Sequence, residues 1–186
     1  MFIAVAIVVG LVVGRLRGGR LANLGDTAFR VWPMLILGVV VQGAAAFTGG
    51  RAVAVILLSY VLLLAFCAAN LNHAGMGVVL VGIALNLVVI GVNGGMPVRS
   101  DAIVAAGIVQ RGEVAQLDFG AKRHLEDSGD RLTFLGDIVP VPGVGEVLSF
   151  GDLGMSVGVA TVLANLLCRR ARPSQRQSWE GSASTP

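Results

Sequence analysis

Two aspartates are the residues of this sequence that could most readily do chemistry. Asp137 and Asp152 each follow a glycine and precede apolar residues, within the stretch RLTFLGDIVPVPGVGEVLSFGD. Two carboxyl groups a few ångströms apart cannot both ionise, so they share a proton, and one can activate water while the other protonates a leaving group. If the two side chains converge, Asp137 and Asp152 form the catalytic dyad of a hydrolase.

Each aspartate also has a structural explanation. Asp152 precedes an apolar stretch, where it can cap a helix or place its charge at the positive end of the helix dipole. Asp137 can close a turn or pair with Arg131 or Arg99. The spacing alone leaves these explanations open beside the dyad.

Further polar residues lie near the aspartates or within apolar stretches. Asn93 heads the segment NGGMP, where its side chain could orient water or a substrate carbonyl. We expect a pocket for a substrate or a partner to be lined by Asn93, Arg99 and Arg131. Amides inside the apolar stretches usually bond another helix, and the alternative is a path for a substrate or an ion. These amides are Gln42, Asn86 and Asn165.

The sequence predicts no metal and no cofactor. His124 lies in the charged stretch GAKRHLEDSGD, which is typical of a solvent-exposed surface, and His73 is expected on the opposite side of a membrane. A zinc site needs several such ligands close together. Cys67 and Cys168 belong to no CxxC pair and lie in or at the end of apolar runs, so we interpret them as packing residues.

The composition indicates the class of protein that must position these residues. Hydrophobic residues make up 55% of the 186 residues, charged residues 13%, and the mean hydropathy is +0.80. A soluble domain has about a quarter charged residues, so we expect an all-α, polytopic integral membrane protein surrounded by the lipid bilayer. The net charge of +3 is spread over short segments and tails, which excludes a basic groove for nucleic acid.

Apolar stretches predict five transmembrane helices, which together form one domain over residues 1–170. The spans fall at about residues 2–16, 28–47, 52–69, 76–92 and 153–168. The polar tail, residues 171–186, contains too few apolar residues to fold and is expected to be disordered in the cytoplasm. In the last span Gly154 and Gly158 form a GxxxG motif, which favours close helix packing within the bundle or in a homodimer.

The loop of residues 93–152 is the one long segment that water could surround. It holds nine of the eleven acidic residues, and Pro140 and Pro142 prevent a regular helix across its apolar part. An apolar, non-helical chain beside a membrane must hide its backbone, so we expect a re-entrant-like loop that folds onto the end of the bundle. Basic residues concentrate in the other segments, which predicts a plasma (inner) membrane protein whose N-terminus and loop are extracytoplasmic and whose C-terminus is cytoplasmic.

Several segments together carry a resemblance to a known family. NGGMPV after an apolar helix, RLTFLGDIVPVP, LSFGD before a final helix, and the turn GRLANLGDTAFR resemble the bacterial membrane proteins of domain-of-unknown-function family 5317, over roughly Met1 to Arg170. The resemblance implies a five-helix membrane protein and no established activity. The placement of Asp137 and Asp152 is also similar to that of two aspartates in lipoprotein signal peptidase, although the Asn-x-x-Asp-Arg segment of that family is absent.

These observations predict a small multi-pass membrane protein whose polar pocket opens on the extracytoplasmic face. We expect an accessory or interaction protein that recognises a protein partner or a lipid headgroup there. The alternative is an aspartate-dependent hydrolase that acts at the outer leaflet through Asp137 and Asp152. A transporter is disfavoured, because few charged residues lie within the spans.

Overall fold

The computed structural model describes residues 2–25, 27–48, 52–120 and 122–169. Its helices are α1 (Phe2–Leu16), α2 (Ala22–Gly25), α3 (Trp32–Ala44), α4 (Ala52–Ala69), α5 (Met76–Asn93), α6 (Ser100–Ala105) and α7 (Phe150–Cys168). Its strands are β1 (Met96–Val98), β2 (Arg123–Leu125), β3 (Val139–Val141) and β4 (Glu146–Leu148). Short 3₁₀ helices cover Ala45–Phe47, Arg111–Gln116 and Thr133–Leu135. The expected disordered tail, residues 171–186, lies outside the described residues.

The five long helices pack side by side in the order α1, α7, α5, α4, α3. The last helix of the chain therefore lies between the first helix and the others. α1 runs parallel to α7, because Phe2 and Asp152 line one pocket while Gly14 packs against Leu167 at the far end. The remaining neighbours are antiparallel. We call the end with the starts of α1, α4 and α7 the loop end, and the end with residues 15–30, 70–75 and 168–169 the arginine end.

Three helices are long and apolar enough to cross a membrane among the residues that the structure describes, namely α4, α5 and α7. α1 and α3 are shorter apolar helices of 15 and 13 residues. Their outer faces expose large apolar side chains, such as Val8 (58% exposed) and Val40 (60% exposed). Contiguous apolar faces of this kind need a lipid or protein cover. The protein is therefore built to associate with a membrane.

The helix expected at residues 28–47 is shorter than the pattern indicated. α3 begins only at Trp32, because Val31 has a left-handed backbone with φ 48° and Pro33 follows in the first turn. The α-helix ends at Ala44, where a tighter 3₁₀ turn takes over. The segment before α3 is held by the buried Asn70, whose amide group bonds the backbone N–H and the carbonyl of Arg30, both at 2.8 Å.

The GxxxG motif of α7 is used inside the bundle. A Cβ on Gly158 would lie 2.6 Å from the Val79 side chain, and a Cβ on Gly154 would lie 3.6 Å from the Cα of Gly82. Both glycines therefore pack on α5, which is one of the two expected uses of the motif. The homodimer use would require the same face of α7 to be free.

Residues 94–120 and 122–149 form a folded cap over the loop end. β1 pairs in parallel with β2, β3 pairs antiparallel with β4, and Asp137 bridges to Val98 at the other edge of β1. Met96 and Leu135 attach the cap to the core of the bundle. The cap has a small apolar core of its own, formed by Val98, Ala102, Ile103, Ala106, Val114 and Val147.

The cap corrects two expectations. An all-α fold describes the bundle but not the loop, which contains four short strands. Pro140 stands in a strand that turns back at Gly143 and Gly145, both with positive φ, so the apolar stretch becomes a hairpin. The short helix α6 buries Ala102 and Ile103 in the core of the cap.

Candidate functional site

Asn86, Ser149 and Asp152 form a hydrogen-bonded cluster at the loop end. Ser149 precedes α7, and its hydroxyl oxygen accepts a hydrogen bond from the Asp152 backbone N–H (3.0 Å), while the Asp152 carboxylate accepts one from the Ser149 N–H (3.3 Å). This reciprocal pair is a capping box. Asn86 is fully buried inside α5, where its amide donates to Asp152 (2.8 Å) and its oxygen accepts from the Ser149 hydroxyl (2.9 Å). The cluster therefore fixes both carboxylate oxygens of Asp152.

Two glycines allow Asn86 to reach α7. A Cβ on Gly151 would collide with the Asn86 side chain, and a Cβ on Gly82 would lie 2.6 Å from the Gly151 carbonyl oxygen. α5 and α7 approach this closely because neither residue has a side chain. The structure confirms that Asp152 lies in the first turn of the last helix and that Asn86 bonds another helix.

Asp137 is positioned by backbone hydrogen bonds to the chain of β1. Its N–H donates to the Pro97 carbonyl (2.9 Å), and its carbonyl accepts from the Arg99 N–H (3.0 Å). The side chain is only 1% exposed, and a carboxylate oxygen lies 2.7 Å from Nε of Arg123 on β2. This contact is an ion pair without an aligned hydrogen bond. The cation paired with Asp137 is therefore Arg123, and not Arg131 or Arg99, which the sequence offered as alternatives.

The charges around Asp137 act on it in opposite directions. Burial raises the pKa of Asp137 to about 6, and the nearby Asp152 carboxylate adds to the rise, while Arg123 and Lys122 oppose it. Lys122 lies over the ring of Tyr60, with Nζ 5.6 Å from the ring centroid. Burial alone would lower the pKa of Lys122, but Tyr60 and Asp152 raise that pKa by more, so the ammonium group stays charged.

A small pocket opens where α1, α7 and the cap meet. Its volume is about 140 Å³, and it is lined by the cations Lys122 and Arg123 and by the carboxylates Glu146 and Asp152. The hydroxyl of Ser156 in this pocket has no hydrogen-bond partner among the described residues. We call it the junction pocket, and its lining consists of Phe2, Ile3, Lys122, Arg123, Glu146, Leu148, Asp152 and Ser156.

The two aspartates are close enough for the charge of Asp152 to raise the pKa of Asp137. Asp152 lines the junction pocket, whereas Asp137 contacts Arg123 and is not part of the lining. Neither carboxylate oxygen of Asp137 has a hydrogen-bond partner within the described chain. Direct proton sharing needs hydrogen-bond reach between the two carboxyl groups, so the dyad of Asp137 and Asp152 stays a prediction.

The three residues expected to line a pocket with the aspartates lie elsewhere at the loop end: Asn93 ends α5, and Arg99 and Arg131 belong to the cap. Asn93 links the cap to α5. Its amide group donates to the carbonyls of Val89 (3.0 Å) and Arg131 (2.8 Å), and its side-chain oxygen accepts a hydrogen bond from the Arg131 N–H (2.8 Å). Arg99 pairs with Glu126 at 3.1 Å. None of Asn93, Arg99 and Arg131 lines the junction pocket.

Other polar residues singled out in the sequence have local partners. Asn165 donates to the Thr161 carbonyl of its own helix (2.9 Å), so it does not bond another helix as expected. His124 contacts Asp130 at 2.9 Å and is half-buried rather than a simple surface residue. No group of three or more His, Cys, Asp or Glu side chains in the described ranges is placed to hold a metal ion.

Sequence reasoning missed three residues of the site: Lys122, Arg123 and Ser149. A signal for Ser149 was present, since a serine three residues before an acid at the start of an apolar helix is a capping-box pattern. Lys122 and Arg123 lie in a charged stretch that is typical of a solvated loop. Lys122 and Arg123 are brought toward the bundle by the pairing of β2 with β1. This pairing is a long-range contact that the local sequence pattern does not show.

Comparisons with known proteins bear on the family and not on the activity. No curated protein and no solved structure matches the chain. A family model does match, over residues 27–164, which include α3 to α6, the whole cap and most of α7. The match therefore covers every residue of the Asn86 cluster and most of the junction pocket. The chain belongs to the family of unknown function DUF5317.

Proposed function

We propose that the protein is a multi-pass protein of the bacterial plasma membrane in which all five long helices cross the bilayer. α1 is short for a membrane span. It nevertheless packs along α7 from the junction pocket at Phe2 to the contact of Gly14 with Leu167. Each of the five long helices runs opposite to the long helix before it in the chain, as successive membrane crossings do. This alternation supports an odd number of crossings. The arginines near the ends of α1 and α7 favour a cytoplasmic arginine end and an extracytoplasmic cap.

We infer that the protein is a non-catalytic accessory protein that binds a partner through the junction pocket. The observation that carries this inference is that two opposite charges of the pocket, those of Asp152 and Lys122, are held in place by other side chains. Asp152 is held by Asn86 and Ser149, and Lys122 is held against Tyr60. A preorganised polar site binds a complementary group without the cost of ordering its own side chains.

The size of the pocket favours a protruding side chain of another membrane protein as its ligand. A volume of about 140 Å³ is small beside the roughly 300–1,000 Å³ of typical small-molecule sites. Phe2, Ile3 and Leu148 add an apolar border next to the charges. A partner helix that carries a polar side chain near the membrane surface fits both features.

Site-specific photocrosslinking in cells tests this proposal. A photoreactive amino acid at Ser156, inside the pocket, is expected to give a discrete adduct with a protein partner. The matched control is the next residue of the same helix, Val157, which is 61% exposed on the outer face of α7. Lys122→Gln is expected to reduce the yield at position 156, because it removes a fixed charge from the pocket.

The result that would contradict a partner-binding pocket is equally clear. Adducts with lipid alone, at the same yield from positions 156 and 157, would show that both positions simply face the bilayer. An adduct at position 156 that is insensitive to Lys122→Gln would move the contact outside the junction pocket. Folding of each variant is checked by its elution as a single species in detergent.

The alternative, an aspartate-dependent hydrolase, is favoured by one observation. The pKa of Asp137 is raised to about 6, which suits proton transfer near neutral pH, and the charge of Asp152 contributes to that rise. The hydrolase is disfavoured because Asp137 is not part of the lining of the junction pocket. Asp137→Asn and Asp152→Asn variants that fold but each lose one cellular phenotype would support the enzyme, and retention of that phenotype by Asp137→Asn would exclude it.

A further inference from the structure

We propose that a second site, at the arginine end, binds the phosphate group of an anionic phospholipid. A half-open cavity of about 520 Å³ lies there between the ends of α1 and α7. The guanidinium-bearing residues Arg17, Arg20 and Arg169 line it, together with Asn23. The site lies at the opposite end of the bundle from the junction pocket and does not depend on the function proposed for that pocket.

The three arginines of this cavity lack an internal counter-charge. None of them is paired with a carboxylate within the part of the chain that the structure describes. Arg15, by contrast, uses its side chain to donate to the Gly19 carbonyl at 2.9 Å. Several positive charges around one cavity repel each other, and a bound anion relieves that repulsion.

The acceptors that arginines normally find at a helix C-terminus are already occupied. Carbonyl groups at the end of a helix are left without intrahelical partners and attract cations. Here the Leu167 carbonyl accepts from the Arg20 backbone N–H (3.0 Å) and from the Asn23 amide (2.6 Å), and Asn23 also bonds the Arg169 carbonyl (2.8 Å). The guanidinium groups therefore remain available for an acceptor from outside the chain.

A phospholipid supplies an acceptor of the right chemistry in the right place. Guanidinium groups bind phosphate oxygens through paired, charge-assisted hydrogen bonds. The cavity adjoins the end of α1, where Leu16 is 82% exposed and Val12 51% exposed. Acyl chains can cover this apolar face while the phosphate lies among the arginines, in the way that basic pockets between membrane helices hold anionic headgroups. A soluble phosphate would leave the same face uncovered.

A neighbouring cavity offers a place for the rest of the headgroup. It measures about 290 Å³ and shares Cys168 and Arg169 with the first cavity. His73 lines it, is 4% exposed, and has an Nδ1 atom without a hydrogen-bond partner among the described residues. The glycerol hydroxyls of phosphatidylglycerol are a fitting partner for that nitrogen.

Native mass spectrometry of the full chain in detergent tests the site. Phosphatidylglycerol is the probe, phosphatidylcholine the zwitterionic comparison, and glycerophosphoglycerol the same headgroup without acyl chains. Arg20→Gln and Arg169→Gln are each expected to weaken phosphatidylglycerol binding about tenfold, because each removes a charged donor from the phosphate. Arg30→Gln removes the same charge from the same end but not from the cavity, and is expected to weaken binding no more than about threefold.

Three results would overturn the proposal. Equal losses in Arg20→Gln, Arg169→Gln and Arg30→Gln would mean that the lipid responds to overall charge and not to a site. Binding of phosphatidylcholine as tightly as phosphatidylglycerol would remove the requirement for a net negative headgroup. Competition by glycerophosphoglycerol at the concentration of the lipid would assign the cavity to a soluble phosphate compound.

Discussion

Asn86 joins α5 to the start of α7 at the loop end through its hydrogen bonds to Ser149 and Asp152. We expect Asn86→Leu to lower the free energy of unfolding by about 1–3 kcal/mol, because the Ser149 hydroxyl and the Asp152 carboxylate then lose buried partners. Unfolding in detergent, followed by circular dichroism, measures the change. Asn165→Leu is the matched control, because Asn165 donates to a carbonyl of its own helix. This substitution should lower the free energy of unfolding by less than about 1 kcal/mol. Equal losses in both variants would contradict the bridging role of Asn86.

Asp137 makes the stability of the cap depend on pH in a defined direction. Its pKa is raised from the ordinary 3.8 to about 6 on folding, so its contribution to stability is fully present below pH 3.8 and is lost as the pH rises through about 6. Asp137→Asn cannot titrate. We therefore expect the free energy of unfolding of the wild type, relative to Asp137→Asn, to fall by roughly 2–3 kcal/mol between pH 4 and pH 7.5.

The measurement for Asp137 is a pair of denaturation curves at each pH. Arg123, Lys122 and Asp152 face Asp137 and are left unchanged in both proteins, so the difference between the two isolates the titration of one carboxyl group. A difference that stays constant from pH 4 to pH 7.5 would show that the pKa of Asp137 is the same in the folded and the unfolded chain, and that the carboxyl group is therefore less buried than the structure indicates.

Sequence and structure agree at residues whose environment is local and diverge where it is not. The first-turn position of Asp152 follows from its place before an apolar helix, and the interhelical bond of Asn86 follows from the cost of an unpaired amide in a membrane. The partner of Asp137 does not follow from either rule. It depends on β1 lying between Asp137 and Arg123, and that register is set by contacts across the whole cap.

At the scale of the elements, glycines decide how closely α5 and α7 approach. A Cβ at Gly82 would lie 2.6 Å from the Gly151 carbonyl oxygen and 2.7 Å from the Met155 nitrogen, and both of these are backbone atoms that cannot rotate away. We expect Gly82→Ala to lower the free energy of unfolding by about 1–3 kcal/mol through this overpacking. Thermal unfolding in detergent measures the effect.

Gly77 supplies the control for this substitution on the same helix. A Cβ there meets only the Leu71 side chain at 3.9 Å, which is ordinary contact. Gly77→Ala should therefore be neutral or stabilise the protein by up to about 1 kcal/mol through helix propensity. If Gly82→Ala were as well tolerated as Gly77→Ala, the close approach of α5 and α7 would not be required for stability.

Helix positions were easier to predict than the elements between them. α4 occupies the stretch at 52–69 that the apolar run indicated, because an uninterrupted apolar run of that length has few other structures open to it in a membrane. α3 was expected to be longer, and the left-handed Val31 that delays its start has no sequence signature. The strands of the cap were missed because each is three residues long, too short for an alternating pattern to emerge.

At the scale of the whole molecule, the proposed topology makes a prediction about access from the two sides of the membrane. In a protein with Cys67 and Cys168 replaced by alanine, Ser128→Cys in the cap should react with a membrane-impermeant maleimide in intact cells. Arg17→Cys at the arginine end should react only after the membrane is opened. Both side chains are exposed, so a failure to react reports the side of the membrane and not burial.

The reverse labelling pattern would overturn the assignment of sides and, with it, the extracytoplasmic position of the junction pocket. Reaction of both positions in intact cells would instead contradict five crossings, because the cap and the arginine end would then face the same compartment. Neither outcome contradicts the phospholipid site at the arginine end, because that site is inferred from the chemistry of the cavity and of the adjoining apolar face.

The position of α7 in the bundle has a consequence for biosynthesis. α7, which follows the cap in the chain, is the helix that separates α1 from α5, so α1 gains this neighbour only after the whole cap has been translated. In the proposed five-span topology, α1 therefore waits in the bilayer without this neighbour until α7 is made. Insertion of α7 is thus the step that completes the packing of the helix bundle. A chain that stops before Phe150 would leave the α7-facing surfaces of α1 and α5 uncovered, as targets for membrane quality control.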